Sequence, residues 1–380
     1  MTPAMARTLA QIDTPALVLD RTRLERNIAR MRERTAALGV ALRPHMKTTK
    51  SADIARRVAG AGITVSTLRE AEYFAAHGHT DIFYAVAIAP QKLERAAALM
   101  RGGVRLLLAV DDVAIASLLA RRGGELGVSF EALIEIDSGE GRSGIEADDD
   151  ALLQIAAALA PGARVAGVFT HGGHSYSGRS TDEHAAVAEQ ERSAVVRAAE
   201  RLRGADHACE IVSIGSTPSA IHARALPGVS EVRAGVYMLG DLFQAGIGGC
   251  AQDDIAVSVL ATVIGSHPRR EQLVIDAGSL ALSKDLSTRA LGVRGDAGYG
   301  LVADADSGDV IDGLYVHVAY QEHGIVRSRG APIDYTRFAP GRRLRILPNH
   351  ACLTSAAYDR YHVVAGDSTV EAEWPRIGGW

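Results

Sequence analysis

The sequence predicts an α/β chain: a (β/α)8 TIM barrel followed by a second, C-terminal β domain. Two observations carry this reading. Eight short apolar runs of β character alternate with longer amphipathic stretches over the first two thirds of the chain, the mark of βα units around a parallel sheet. Those units occupy residues 21–250, a length that suits one (β/α)8 barrel, and beyond Cys250 the texture changes to β-like runs separated by Gly, Asp and Pro. A doubly wound open sheet is the alternative arrangement of the first part.

In chain order, Thr14–Asp20 reads as a strand that precedes the first helix and is placed to pair with the C-terminal domain rather than to close the barrel. The barrel strands fall at Ala41–His45, Gly62–Ser66, Ile82–Ala85 and Val104–Val110, then at Ala132–Ile136, Val165–Thr170, Ile211–Gly215 and Glu231–Ala234. Helical patterns lie at Arg21–Leu38, Ser51–Ala61, Leu68–His77, Gln91–Arg101, Asp112–Arg122, Asp149–Leu159 and Asp182–Arg203, most opening on Asp, Ser or Thr as N-caps do. Further strands read at Ala256–Ile264, Gln272–Asp276, Leu314–Ala319, Arg343–Leu347 and Tyr361–Ala365. The expected domains are therefore a barrel over 21–250 and a β domain made of 1–20 and 251–380.

Composition narrows the function classes. With 41 basic and 45 acidic side chains scattered along the chain, no phosphate-tracking surface is expected, and nucleic acid is excluded as a partner. No run approaches the roughly 18 apolar residues of a membrane span, and Met1–Arg7 lacks a basic lead into an apolar core, so the protein reads as cytoplasmic. Three cysteines, Cys209, Cys250 and Cys352, with no CxxC pair, make a functional thiolate more plausible than a disulfide framework.

Reacting groups in such a barrel sit where strands end. The first strand runs into Arg43-Pro44-His45-Met46-Lys47-Thr48-Thr49-Lys50. Desolvation and cationic neighbours there would favour a neutral Lys47 amine able to condense with an aldehyde; the plain alternative is a solvated basic loop. Ser213–Ser219 and Arg233–Tyr237, after strands seven and eight, carry small residues whose backbone N–H groups can face a phosphate. Arg142, framed by glycines after the fifth strand, either pairs with Asp137 or reaches an acceptor nitrogen on a bound ring. After the sixth strand, His171-Gly172-Gly173-His174-Ser175-Tyr176 puts two imidazoles and a phenol in one loop, either at the site or on the surface. In the C-terminal domain His350 and Cys352, two apart, share one face of an extended chain and make half of a zinc site, or else a packing pair. Gln321-Glu322-His323-Gly324 is a polar cluster able to orient ligands or substrate.

These motifs together resemble the D-serine dehydratase and D-threonine aldolase family, pyridoxal-phosphate enzymes of the alanine-racemase-like fold. The resemblance runs over Asp13-Thr14-Pro15-Ala16, Arg43–Thr48, Gly215-Ser216-Thr217-Pro218, Arg233–Tyr237, Asp276-Ala277-Gly278, Gln321–Gly324 and Pro348–Cys352, nearly the whole chain. It implies that Lys47 holds pyridoxal 5'-phosphate (PLP) covalently, that Gly215, Ser216, Thr217, Gly235 and Tyr237 hold its phosphate, and that Arg142 faces the pyridine nitrogen. By the same resemblance His350 and Cys352 bind a divalent metal, zinc first, with manganese, cobalt or magnesium as the other candidates, and the protein is a homodimer. Lys47, His171 and Tyr176 are the expected catalytic residues, Tyr176 also lying on the cofactor. His350-Ala351-Cys352-Leu353-Thr354 departs from the His-x-Asp and Pro-Thr pattern of the aldolases and favours the dehydratases. The expected activity is β-elimination of water from a D-3-hydroxy amino acid, such as D-serine or D-threo-3-hydroxyaspartate, to a 2-oxo acid and ammonia. D-threonine aldolase activity is the first alternative; an amino-acid racemase and a PLP carrier protein are weaker ones.

Overall fold

The computed structural model describes residues 7–58, 60 and 62–380. The readings of Met1–Ala6 and of Ala59 and Ala61, at the end of the second expected helix, lie outside them. The chain divides into two compact units: Arg30–Gly235 with Gly379–Trp380, and the chain up to Ala29 with Val236–Gly378. The division falls inside a helix, α1 (Arg21–Ala37), that continues strand β1 (Ala16–Asp20). It lies further along than residue 20 because Asn27 of α1 donates to the carbonyls of Met238 (3.1 Å) and Asp254 (2.8 Å), which fixes the first half of α1 to the later segment.

The first unit alternates strands and helices: β2 (Ala41–Leu42), α2 (Ala52–Val58), β3 (Ile63–Val65), α3 (Leu68–Ala76), β4 (Asp81–Ala87), α4 (Leu93–Arg101), β5 (Arg105–Val110) and α5 (Val113–Leu126). It continues through β6 (Phe130–Asp137), the short β7 (Ile145–Glu146), α6 (Ala151–Leu159), β8 (Ala163–Phe169), α7 (Thr181–Gly204), β9 (Ile211–Ile214), α8 (Thr217–His222) and β10 (Glu231–Val232). Eight of these strands pair in the order β2-β10-β9-β8-β6-β5-β4-β3, and a parallel bridge between His45 and Thr64 joins the two ends of the row. Each of the eight runs expected as a barrel strand is one.

The strands read clearly because they are buried on both faces; all but the first residue of β5 is buried. Phe83, Leu107, Leu133, Ala166 and Phe169 form one interior cluster. Helix starts follow the N-cap rule: Thr67 accepts from Glu70 N–H, Asp112 from Ile115 N–H, and Ser180 with Glu183 makes a capping box. Gly127, at φ +67°, closes α5 in the left-handed conformation that glycine adopts without strain.

The second unit adds α9 (Leu242–Gly246), β11 (Val257–His267), β12 (Gln272–Ile275), α10 (Ser279–Leu282), β13 (Leu301–Asp304), β14 (Val310–Ala319) and β15 (Gly324–Ser328). It ends with β16 (Arg343–Leu347), α11 (Ala351–Ser355), β17 (Arg360–Val364) and β18 (Ala372–Pro375). Its sheet runs β12-β15-β14-β13-β16-β11-β1-β17-β18, and β12 also pairs with β11, so six strands close on themselves. β1 lies between β11, antiparallel through Ala16–Leu260, and β17, parallel through Val18–His362, as expected for a strand that does not close the barrel. Leu9, Ile12, Val18, Leu260 and Val364 pack together beneath it. The sequence reading lacks β7, β13, β15 and β18, of two to five residues, and the short helices α8 to α11, too short to display a 3.6-residue period. Among the described residues no helix is long and apolar enough to cross a membrane.

Candidate active site

The loop after β2 is shaped by hydrogen bonds at both ends. His45 N–H donates to Ala234 O (2.9 Å), Met46 N–H to Thr64 O (2.8 Å), and Lys50 N–H back to Met46 O (2.8 Å). Lys47 sits on the resulting turn with an exposed side chain, whereas Thr48 and Thr49 beside it are buried. Lys50 takes the left-handed conformation (φ +47°) and its ammonium pairs with the buried Glu70 carboxylate at 3.1 Å.

Two imidazoles feel the Lys47 charge. Burial and then Lys47 hold His45 well below its ordinary value. The same two causes, burial first, bring His171 down to about 3, with Arg142 and Arg233 adding to them. Lys47 and Arg233 act on both imidazoles and Arg142 acts on His171, so positive charge gathers beside two imidazoles that are themselves disfavoured from charging, an environment suited to an anion. His171 Nδ1 lies 2.7 Å from Gly215 O. A carbonyl only accepts, so Nδ1 carries the hydrogen and Nε2 keeps its lone pair. Tyr176 lies on the same loop with its ring centroid 6.5 Å from that of His171. His174 is turned away, its Nε2 3.0 Å from Gln190 Oε1 on α7.

Arg142 is not paired with Asp137. Asp137 accepts the N–H groups of Gly139 (2.8 Å) and Gly141 (3.1 Å), which outweigh burial and hold its carboxyl low. Arg142 is exposed and its charged neighbours are Glu140 (3.4 Å) and, at 4.0 Å, the buried Glu135. Burial pushes the Glu135 carboxyl up, and Ser143 donates to it at 2.8 Å.

The loop after β9 is more committed than its sequence suggests. Gly215 N–H donates to Glu191 Oε1 (3.1 Å) and Ser216 N–H to Ser219 Oγ (3.1 Å), so neither donor points at a ligand. Ser216 Oγ joins a buried hydroxyl cluster with Ser175 Oγ (2.7 Å) and Ser219 Oγ (2.8 Å), and Thr217 is buried at the start of α8. Gly215 is at φ +154° and an added Cβ would strike Arg233 O; at Gly235 a Cβ would lie 2.6 Å from His45 O. The backbone is close-packed there, and only glycine fits.

Arg233, quoted in the sequence only as part of a loop, is an interior residue. It donates to Ser213 Oγ and to Thr170 O, each at 2.6 Å, and its guanidinium lies over the rings of Phe83 and Phe169 at 5.6 and 5.0 Å. Ser213 in turn donates to Glu231 (2.7 Å), which accepts from Arg43 (2.8 Å), which also donates to Asp81 (2.7 Å). This buried chain anchors the end of the barrel wall that carries Gly235.

In the second unit the His350–Cys352 pair is built differently from expectation. His350 has extended backbone angles (φ −138°, ψ 104°), but it is the N-cap of α11, and Cys352 lies in the first helical turn rather than two along an extended strand. The two side chains still meet: burial works against an imidazolium, yet Asp285 and Cys352 outweigh it and raise His350 to about 10. His350 Nδ1 is 3.4 Å from Asp285 Oδ2. Buried Asp241 accepts Ala351 N–H (2.9 Å) and Gln244 N–H (2.7 Å), and Asn349 donates to Asp285 O (2.9 Å) and Gly298 O (2.7 Å), so the motif is held from behind. An imidazole and a thiol that together attract a proton are a donor pair fitted to a soft or borderline cation, with Asp285 as the carboxylate that orients the imidazole. Among the described residues no group of three or more His, Cys, Asp and Glu side chains is arranged around a common centre. Gln321, Glu322 and His323 are exposed between β14 and β15, Gln321 bonding Glu322 at 3.1 Å.

Comparison with known proteins decides the family. The alanine racemase N-terminal domain model matches residues 19–242, and the serine dehydratase domain model matches 256–364. D-threo-3-hydroxyaspartate dehydratase of Delftia sp. (strain HT23) is 50% identical over 99% of this chain and 100% of its own length. The chain belongs to the D-serine dehydratase and D-threonine aldolase family. Within it, the D-threonine aldolase of Arthrobacter sp. is 31% identical over 96% of this chain and 92% of its own. A solved structure of a cysteine-to-alanine variant of D-threo-3-hydroxyaspartate dehydratase in the metal-free form superposes with a TM-score of 0.95 at 48% identity, covering 98% of this chain and 100% of that one. This is the family of fold-type III PLP enzymes, with the alanine-racemase-like fold.

Proposed function

We propose that this protein is a PLP- and divalent-metal-dependent dehydratase of D-3-hydroxy amino acids, with D-threo-3-hydroxyaspartate and D-serine as the first substrates to test. The observation that carries the proposal is the half-identity, end to end, with a D-threo-3-hydroxyaspartate dehydratase. The positive charge that Lys47, Arg142 and Arg233 gather beside His171 and the His350–Cys352 pair support it.

Lys47 is the residue that would hold PLP, and its amine would serve as the base for the substrate's Cα proton. When bound, PLP supplies an electron sink for the Cα carbanion and the metal a Lewis acid for a poor leaving group. Arg142 is the residue that would face the pyridine nitrogen, to which a guanidinium can only donate. His171, neutral with its Nδ1 hydrogen spent on Gly215 O, offers Nε2 as an acceptor, and Tyr176 lies beside it. Thr217, Gly235 and Tyr237 are the residues to seat the phosphate, with Gly215 and Ser216 contributing shape rather than backbone donors. His350 and Cys352 would hold the metal, zinc first. A homodimer in the cytoplasm completes this reading.

Product analysis tests it. Purified protein given D-threo-3-hydroxyaspartate, D-serine and D-threonine should release ammonia and a 2-oxo acid, and exhaustive chelation should stop this while PLP stays bound; added zinc should restore it. Glycine and an aldehyde as the products would overturn the dehydratase reading in favour of an aldolase, the activity in the name of the Arthrobacter relative. Full activity in metal-free protein would leave His350 and Cys352 as packing residues.

A further inference from the structure

Helix α7 is the longest of the barrel unit and most of its acidic residues face outward, but Glu191 is fully buried. One of its oxygens, Oε1, accepts two backbone N–H groups from different loops: Gly172 after β8 (2.8 Å) and Gly215 after β9 (3.1 Å). The same two loops are joined twice more, by His171 Nδ1 to Gly215 O (2.7 Å) and by Ser175 Oγ to Ser216 Oγ (2.7 Å). Glycine at 172 follows from the carboxylate itself, since a Cβ there would lie 2.6 Å from Glu191 Oε2. Two N–H groups buried without an acceptor would each be costly, so removing this oxygen loosens both loops at once.

From this geometry we infer that Glu191 is a positioning residue which, by holding Gly172 N–H and Gly215 N–H on a single oxygen, sets the shape of the cofactor's phosphate seat together with the placement of His171. The inference rests on the PLP reading given above. It assigns the strength of phosphate binding to a side chain that does not touch the phosphate. Burial pushes the Glu191 carboxyl up, against the opposing pull of the Ser219 hydroxyl and the two N–H groups. Glutamine, which keeps an acceptor oxygen, is therefore its functional equivalent.

The test compares PLP with pyridoxal, which lacks the phosphate, by titrating full-length apo-protein and following absorbance. In Glu191→Ala the Kd for PLP should rise roughly ten- to a hundredfold, while that for pyridoxal stays within about twofold. Glu191→Gln should restore the wild-type PLP value to within about threefold. If Glu191→Ala does not fold, Gly172→Ala, whose methyl group displaces the same carboxyl, should give the same selective loss. Equal weakening of PLP and pyridoxal, or an unchanged preference for PLP, overturns the inference alone. Wild-type protein that binds pyridoxal as tightly as PLP overturns the cofactor reading, and the inference with it.

Discussion

Lys47 and Lys50 are three residues apart, and their surroundings separate them. Lys50 is committed to an ion pair with buried Glu70, whereas Lys47 projects from the turn and imposes its charge on His45 and His171. Lys47→Ala should therefore abolish the visible absorbance of covalently held PLP and cut turnover by about 10²–10⁴-fold. Borohydride reduction and peptide mapping check the assignment, and a label on Lys50 or Lys284 would refute it. The cysteines offer a second measurement at this scale. Burial pushes the Cys209 thiol up to about 11, while Cys250 and Cys352 are only half-buried. A thiolate-selective reagent at pH 8 should modify Cys250 and Cys352 first and reach Cys209 only on denaturation, with zinc protecting Cys352. Three reactive thiols in the native protein would contradict the burial of Cys209.

Among the elements, α11 shows how a motif two residues long depends on a distant carboxylate. Asp241 accepts Ala351 N–H on one oxygen and Gln244 N–H on the other, and all of these groups are buried. Asp241→Ala should lower stability by roughly 2–5 kcal/mol in urea unfolding, the cost of two unsatisfied donors, and reduce metal retained after dialysis. Stability and metal content equal to wild type would show that the motif holds itself. This is also where sequence reasoning ran short. Two residues at 350 and 352 suggest a shared strand face, and a five-residue helix offers no periodicity to say otherwise. The barrel strands were legible because long Val, Ile and Leu runs have few other places to go. Glu191 hides in the charged run Glu189-Gln190-Glu191-Arg192, which resembles a solvated face. A signal was nevertheless present: His184, Ala188, Glu191, Val195, Ala198 and Leu202 are spaced four, three, four, three and four, the buried stripe of α7. Arg233 likewise follows Glu231 at the strand period of two, which points both charges into the barrel wall.

For the whole molecule, imidazoles held below their ordinary value tie stability to acidity. His171 has an ordinary value of 6.5 and a folded value of about 3, so the unfolded chain takes up the proton first. Its contribution is intact above about pH 6.5 and is lost progressively as the pH falls toward 3, where the folded form is protonated as well. His45, held low by the same causes, acts in the same direction. Denaturant titrations of apo-protein across this range should show stability falling with pH, and His171→Gln should flatten the fall. An identical slope in the variant would mean that other groups set the acid limit.

The placement of β1 adds a constraint of timing. Ala16–Asp20 leaves the ribosome before the barrel does, yet both of its neighbours in the sheet, β11 and β17, are made after the barrel. At ordinary elongation rates that strand waits on the order of tens of seconds with both edges unpaired, while every residue of the barrel is made in the interval. Val18, Leu19 and their neighbours are then the segment most open to pairing with another nascent chain, and a holdase that shields the first twenty residues would act at the point where this topology is most exposed.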